Sequence, residues 1–204
     1  ARVPTSSYAK CLTHYCAYLL AHKDDCLTYK IDPASPERDL RSLVDSSWGN
    51  CPETMRSWFG YCILWCGCAF SWRAKLQPCV ALASRDAEAI AAVFAVKATL
   101  GFLIMLDELG FSPKSPCPIR VDNKATVDGA HSEKISKESR FMAMRLKWLR
   151  EMVLHDLIGI SHITTGDNIA DVFTKILPAT LHARFRAILM GTATLAAIYT
   201  LYII

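Results

Sequence analysis

The chain has 204 residues, of which 52% are hydrophobic and 21% charged, and a net charge of +4. That balance excludes an intrinsically disordered chain and leaves room for one full hydrophobic core plus an appendage. The mild positive charge suits a polyanionic partner without demanding one.

Tyr8, Leu12, Tyr15, Leu19 and Leu20 recur at helical spacing and predict a short helix over 5–22. Leu27-Thr28-Tyr29-Lys30 reads as a short strand, and the polar run 32–37, with two prolines, as a linker. Three segments follow: a connecting segment over 1–38, a main domain over 39–190 and an apolar tail over 191–204. Ala1-Arg2-Val3-Pro4 carries no apolar leader and no initiator Met, which suggests a piece of something longer.

Leu40 to Ser46 is the first strand of the main domain. Trp58–Trp65 and Ala69–Lys75 flank Cys66-Gly67-Cys68 and predict a hairpin with glycine at the turn. The nine cysteines are odd in number and irregularly spaced, which points to reduced thiols in an intracellular compartment. Cys62, Cys66 and Cys68 are the densest set. Zinc ligation is one reading, but paired C-x-x-C spacing and a nearby His are lacking, so small buried hydrophobes are favoured.

Ser84 to Leu109 is long and rich in Ala and Leu, a helix closed by Gly110 with Pro113 beyond. Ile119 to Asp122 is a short buried strand, followed by a short helix from Asn123 to Ala130. Ser136 to His155 predicts a second long helix with Phe141, Met144, Trp148, Met152 and Val153 near one side. Trp148 and Trp72 read as core residues rather than base-stacking platforms. Leu157 to Thr164 is a strand. A last helix, capped by Thr165 or Asp167, runs to about Ile176 and is stopped by Pro178. The order predicts an α/β fold: an antiparallel meander, then parallel strands, in one mixed five-stranded sheet flanked by helices.

Four acids stand out within this order. Asp45 and Asp122 follow apolar strand runs, where ligands of such sheets gather. Glu88 lies in the first turns of a helix, and Asp171 in the last helical segment. Singly, each reads as a turn, cap or solvated-face residue. Together they can hold two divalent ions about 4 Å apart for an in-line phosphoryl displacement. Asp45 is then the bridging ligand, with Glu88 and Asp122 on one ion and Asp171 on the other.

Lys75 to Glu88, Val121-Asp122-Asn123, and Ile169 to Lys175 with Leu177-Pro178 resemble motifs of the ribonuclease H domain of copia-type retrotransposon polyproteins. Asp45-Ser46-Ser47-Trp48-Gly49, Arg56-Ser57 and Gly60-Tyr61 resemble its opening. Residues 1–30 resemble the stretch that joins the reverse transcriptase to it. The resemblance implies an RNase H-like fold and magnesium-dependent cleavage of the RNA strand of an RNA–DNA hybrid, with manganese as a substitute. It also implies Asp45, Glu88, Asp122 and Asp171 as the catalytic carboxylates and the reverse-transcriptase portion as a partner. The alternative is an inactive remnant that binds nucleic acid or protein. Ser84 and Asn123, beside catalytic positions, are expected either to touch substrate or to cap helices.

The likeness breaks at Phe141-Met142-Ala143 and Arg145-Leu146-Lys147 in the second long helix, and at Gly101, Leu103 and Ile104 in the first, where the family has a Trp and a basic pair; the changes make the helix surfaces more apolar. No catalytic His is assigned among His131, His155 and His162. Lys134, Lys137, Arg140, Arg145, Lys147 and Arg150 make a basic stretch, either a phosphate-tracking surface or a solvated helix face. The tail from Ala187 to Ile204 approaches the length of a membrane span but has no basic flank; a membrane role is not expected.

Overall fold

The computed structural model describes residues 6–30, 39–133 and 142–193. The predicted linker over 32–37, Lys134, Lys137 and Arg140 of the basic stretch, and 194–204 of the tail lie outside them. The five strands are β1 (Leu40–Ser47), β2 (Trp58–Trp65), β3 (Cys68–Leu76), β4 (Cys117–Val121) and β5 (Ile158–His162). They form one sheet in the order β3-β2-β1-β4-β5. β1 pairs antiparallel with β2 and parallel with β4, so the mixed sheet is as expected, with β1 at its centre. The β2–β3 turn has Cys66 and Gly67 both at positive φ, the backbone a two-residue hairpin needs to follow strand twist.

Helix α1 spans Ser6–Ala21, α2 Ser84–Glu108, α3 Lys124–His131, α4 Ala143–Leu154 and α5 Ala179–Leu189. Helix α2 ends where its sequence demands. Gly110 has φ +79°, its N–H bonds Asp107 O at 2.9 Å, and the Phe111 N–H reaches back to Leu106 O at 2.8 Å. A residue free of a Cβ takes up that left-handed turn at least cost.

The sheet is covered on both faces, because alternate residues of each strand point opposite ways. Leu40, Val44, Phe59, Tyr61, Ile63, Ile119, Val121, Ile158 and Ile160 pack with α2 and Leu149 of α4. Leu43, Cys62, Leu64 and Ala69 pack with Ile169, Ala170, Phe185 and Ile188 on the other side. Cys62 is thus a buried core residue. A buried hydroxyl pair, Ser42 with Thr99 at 2.6 Å, ties β1 to α2.

Five expectations need correction. Residues 27–30 form no strand: the Thr28 N–H bonds Met190 O at 2.9 Å and the Lys30 carbonyl accepts from Cys68 Sγ at 3.2 Å, so these backbone groups find partners without a sheet ladder. The predicted helix to Ile176 is two 3₁₀ turns, Thr165–Asp167 and Ile169–Phe173, and Asn168 caps the second. Pro178 does not end a helix there; it stands at the N-cap of α5, a helix the sequence reading missed. Of the helix expected over 136–155, the described part is 143–154, and its buried residues are Leu146 and Leu149, whereas Met144 is 86% exposed. Trp72 is exposed on β3, while Trp148 is half-buried under Lys97.

Candidate metal centre

Four segments far apart in sequence meet beyond the carboxyl ends of β1 and β4. Asp45 lies on the central strand and is fully buried. Its Oδ1 accepts from the Lys175 ammonium at 2.8 Å and its Oδ2 from the Thr174 hydroxyl. Both donors come from the face carrying the 3₁₀ turns. Ser46, the next residue, is engaged from the other face: its N–H and hydroxyl donate to Glu88 Oε1 at 3.1 and 2.8 Å. The end of β1 is therefore gripped from both sides.

Glu88 reaches this point because α2 starts close to the sheet. Gln77, fully buried after β3, takes the Ser57 carbonyl through its backbone N–H at 2.8 Å. Its side-chain amide donates to Ala87 O at 2.8 Å, which fixes the first turn of α2. Asp122 follows β4, and its Oδ2 accepts from Thr165 Oγ1 at 3.5 Å. Asp171 sits in the second 3₁₀ turn, held against the sheet by two devices. Asn168 donates from Nδ2 to Val44 O at 2.8 Å and accepts the Ala170 N–H at 3.2 Å. Gly60, opposite Asp45 in the β1–β2 register, leaves the space: a Cβ there would stand 2.5 Å from Phe173 Cβ.

One carboxylate oxygen each from Asp45, Glu88 and Asp122 lie within 4.8 Å of one another. Glu88 Oε2 is buried with no hydrogen-bond partner among the described residues. A buried carboxylate oxygen without a donor is costly, and a divalent cation with oxygen preference relieves that cost. The donor set therefore fits such an ion. Asp171 joins the group through Lys175, whose Nζ is 3.1 Å from Asp171 Oδ1 and 3.7 Å from Asp122 Oδ2.

The charges perturb one another strongly. Burial, then the Asp45 and Asp122 charges, push the Glu88 carboxyl well up. Burial also raises Asp45, although Lys175 and Thr174 oppose it. Burial and the Asp45 charge carry Asp171 to about 7 against the pull of Lys175. For Lys175 burial acts downward, but the hydrogen bond and charge of Asp45, with Asp171 behind it, outweigh that and hold the ammonium above the ordinary lysine range. Carboxyls raised in this way release protons when a cation binds.

Ser84 is the exposed first residue of α2, and the N-cap position belongs to Ala83, so Ser84 is not the cap. Asn123 caps α3, its Oδ1 accepting the Thr126 N–H at 3.0 Å. Sequence reasoning missed Ser46, Thr174 and Lys175 as partners of the acids. The signal available was adjacency to Asp45 and the four-residue step from Asp171 to Lys175. His162 Nε2 lies 3.2 Å from the Asp122 carbonyl, at the edge of the cluster.

No protein-family model matches the chain. It is 30% identical over 161 residues to the Retrovirus-related Pol polyprotein from transposon TNT 1-94 of Nicotiana tabacum. It is 23% identical over 175 residues to that from transposon RE2 of Arabidopsis thaliana. The matches take in 79% and 86% of this chain but 12% of either relative's length. Among solved structures, LC11-RNase H1, isolated from compost, superposes with a TM-score of 0.51 at 13% identity, covering 67% of this chain and 93% of that one. The same protein has also been solved with an RNA/DNA hybrid, with a TM-score of 0.51 to this chain at 14% identity.

Proposed function

This chain being an RNase H-fold relative of the copia-type retrotransposon Pol polyproteins, we propose that it hydrolyses the RNA strand of RNA–DNA hybrids with divalent metal, magnesium first. Asp45, Glu88, Asp122 and Asp171 would hold the ions. The observation that carries the reading is the meeting of three acids from β1, α2 and the residue after β4, one of which, Glu88, has a buried oxygen with no hydrogen-bond partner among the described residues.

Bound there, the ions supply a nucleophilic water at neutral pH and charge against the leaving oxygen. The chain's own part is placement. Ser46 orients Glu88 by fixing Oε1 and leaving Oε2 for the ion. Thr174 orients Asp45. Asp122 and Lys175 are the members of the cluster that keep some contact with solvent, and a scissile phosphate would approach from their side. Recognition of the hybrid would rest on its shape and on ribose 2′-hydroxyls, which distinguish RNA from DNA. The complex of LC11-RNase H1 with a hybrid supports this substrate class. The reverse-transcriptase portion of a Pol polyprotein is the expected covalent neighbour.

One observation favours a second reading, a remnant that binds without turnover: Lys175 already satisfies part of the acid cluster without any metal. A single assay separates the two. Purified chain is given a labelled hybrid with magnesium, with RNA duplex and DNA duplex as controls. Cleavage of the hybrid's RNA strand alone is expected, and Asp45→Asn should lower it about a thousandfold, roughly 4 kcal/mol of lost ion-borne stabilisation. Tight hybrid binding without any product would establish the second reading instead.

A further inference from the structure

One charged side chain at the centre of the acid cluster takes no part in holding the ions. Lys175 Nζ lies 2.8 Å from Asp45 Oδ1, 3.1 Å from Asp171 Oδ1 and 3.7 Å from Asp122 Oδ2. Three of the four acids assigned to metal thus converge on one ammonium. Glu88 is not among them, and its Oε2 stays unpartnered. The cluster is divided into a half with a free oxygen and a half that already contains a cation.

An ordinary structural ion pair would explain a lysine facing one carboxylate. It explains less well a side chain that is one-third exposed and reaches three acids at the point where a bridging Asp45 needs Oδ1 free. Asp45 Oδ2 is taken by Thr174, so Oδ1 is the oxygen for which Lys175 and an ion compete. An ammonium on a flexible four-carbon stem can leave and return, as a fixed backbone donor cannot.

We propose that Lys175 is a tethered counter-ion that keeps the place of a divalent ion between Asp45 and Asp171. The Glu88 half then takes an ion directly, and the Asp171 half takes one only by displacing the ammonium. Resting on the metal-site reading above, this assigns Lys175 as a positioning residue that separates the two binding events.

The test is manganese titration of the intact chain, followed by the paramagnetic resonance of free ion and by calorimetry, without substrate. Wild type should bind two ions at well separated concentrations. In Lys175→Met the weaker ion should bind about tenfold more tightly, the scale of one close charge pair, and the tighter one should gain less, so that the two constants draw together. In chelator the variant should melt below wild type and recover with manganese. Lys175→Arg, which keeps the charge, should retain the wild-type separation. A weaker constant in Lys175→Met within about twofold of wild type overturns the proposal, as does a variant that takes up one ion only. If Lys175→Met is too unstable to titrate, Lys175→Gln is read by the same criteria. Wild type that binds no manganese at all sinks the metal-site reading itself, a result distinct from two ions with unaltered constants.

Discussion

The two acids that flank Asp45 are delivered by opposite means. Glu88 rides on α2, a helix of 25 residues whose Ala87, Ile90, Ala91, Ala95 and Val96 are buried. Asp171 rides on a 3₁₀ turn of five residues, held by Asn168, by Thr174 and by the space over Gly60. One side is positioned by apolar packing spread over many contacts, the other by a few polar anchors and one missing methyl group. Packing of the first kind tolerates small losses; anchoring of the second kind fails when a single anchor goes.

The sharpest way to break this contrast is Gly60→Ala. Its Cβ would meet Phe173 and force the Asp171 turn off the sheet, at about 1–3 kcal/mol. Manganese binding should weaken on the Asp171 side while the tighter ion is retained, and titration beside thermal unfolding reads both. Equal loss at the two positions would show that the halves are not held independently.

The pH response sharpens it further. With Asp171 at about 7 when folded and an ordinary value of 3.8, the folded chain holds the proton more tightly. Its contribution to stability is therefore full below about pH 4 and is lost as pH rises to about 7. In chelator, wild type should lose more melting temperature over that window than Asp171→Asn. Parallel curves for the two would remove Asp171 from the account.

The smallest effect is expected on the helix side. Thr99→Val deletes the hydroxyl pair with Ser42, at about 1 kcal/mol, and should leave metal affinities unchanged. A shift in either affinity would mean that α2 is less firmly packed than its buried face indicates.

The same contrast governs what could be read from the sequence. Strands β1 to β5, α2 and α3 were legible because each carries its own apolar pattern, turn glycine or cap, as with Gly110 and Asn123. Asp45, Glu88 and Asp122 could be named because each sits at a fixed point of such an element. The Asp171 side was harder. Its turns are too short to show a period, so a helix was expected where Asn168 instead caps a 3₁₀ turn. Helix α5 carries a usable signal in Leu181, Phe185, Ile188 and Leu189, but in sequence Pro178 reads as the stop of a helix before it rather than as the start of one after it. The meeting of Lys175 with Asp45 is a matter of tertiary pairing, which no local pattern encodes.

Asp45 is sheltered by Thr174 and Lys175, which follow it by 129 and 130 positions. A premature stop or a protease nick that removes the stretch after β5 would strip both donors from a carboxylate in mid-sheet and uncover Leu43, Cys62 and Leu64. Damage to the far end of this polypeptide is thus felt at its centre, where it lays bare an apolar sheet face and an unaccompanied carboxylate together.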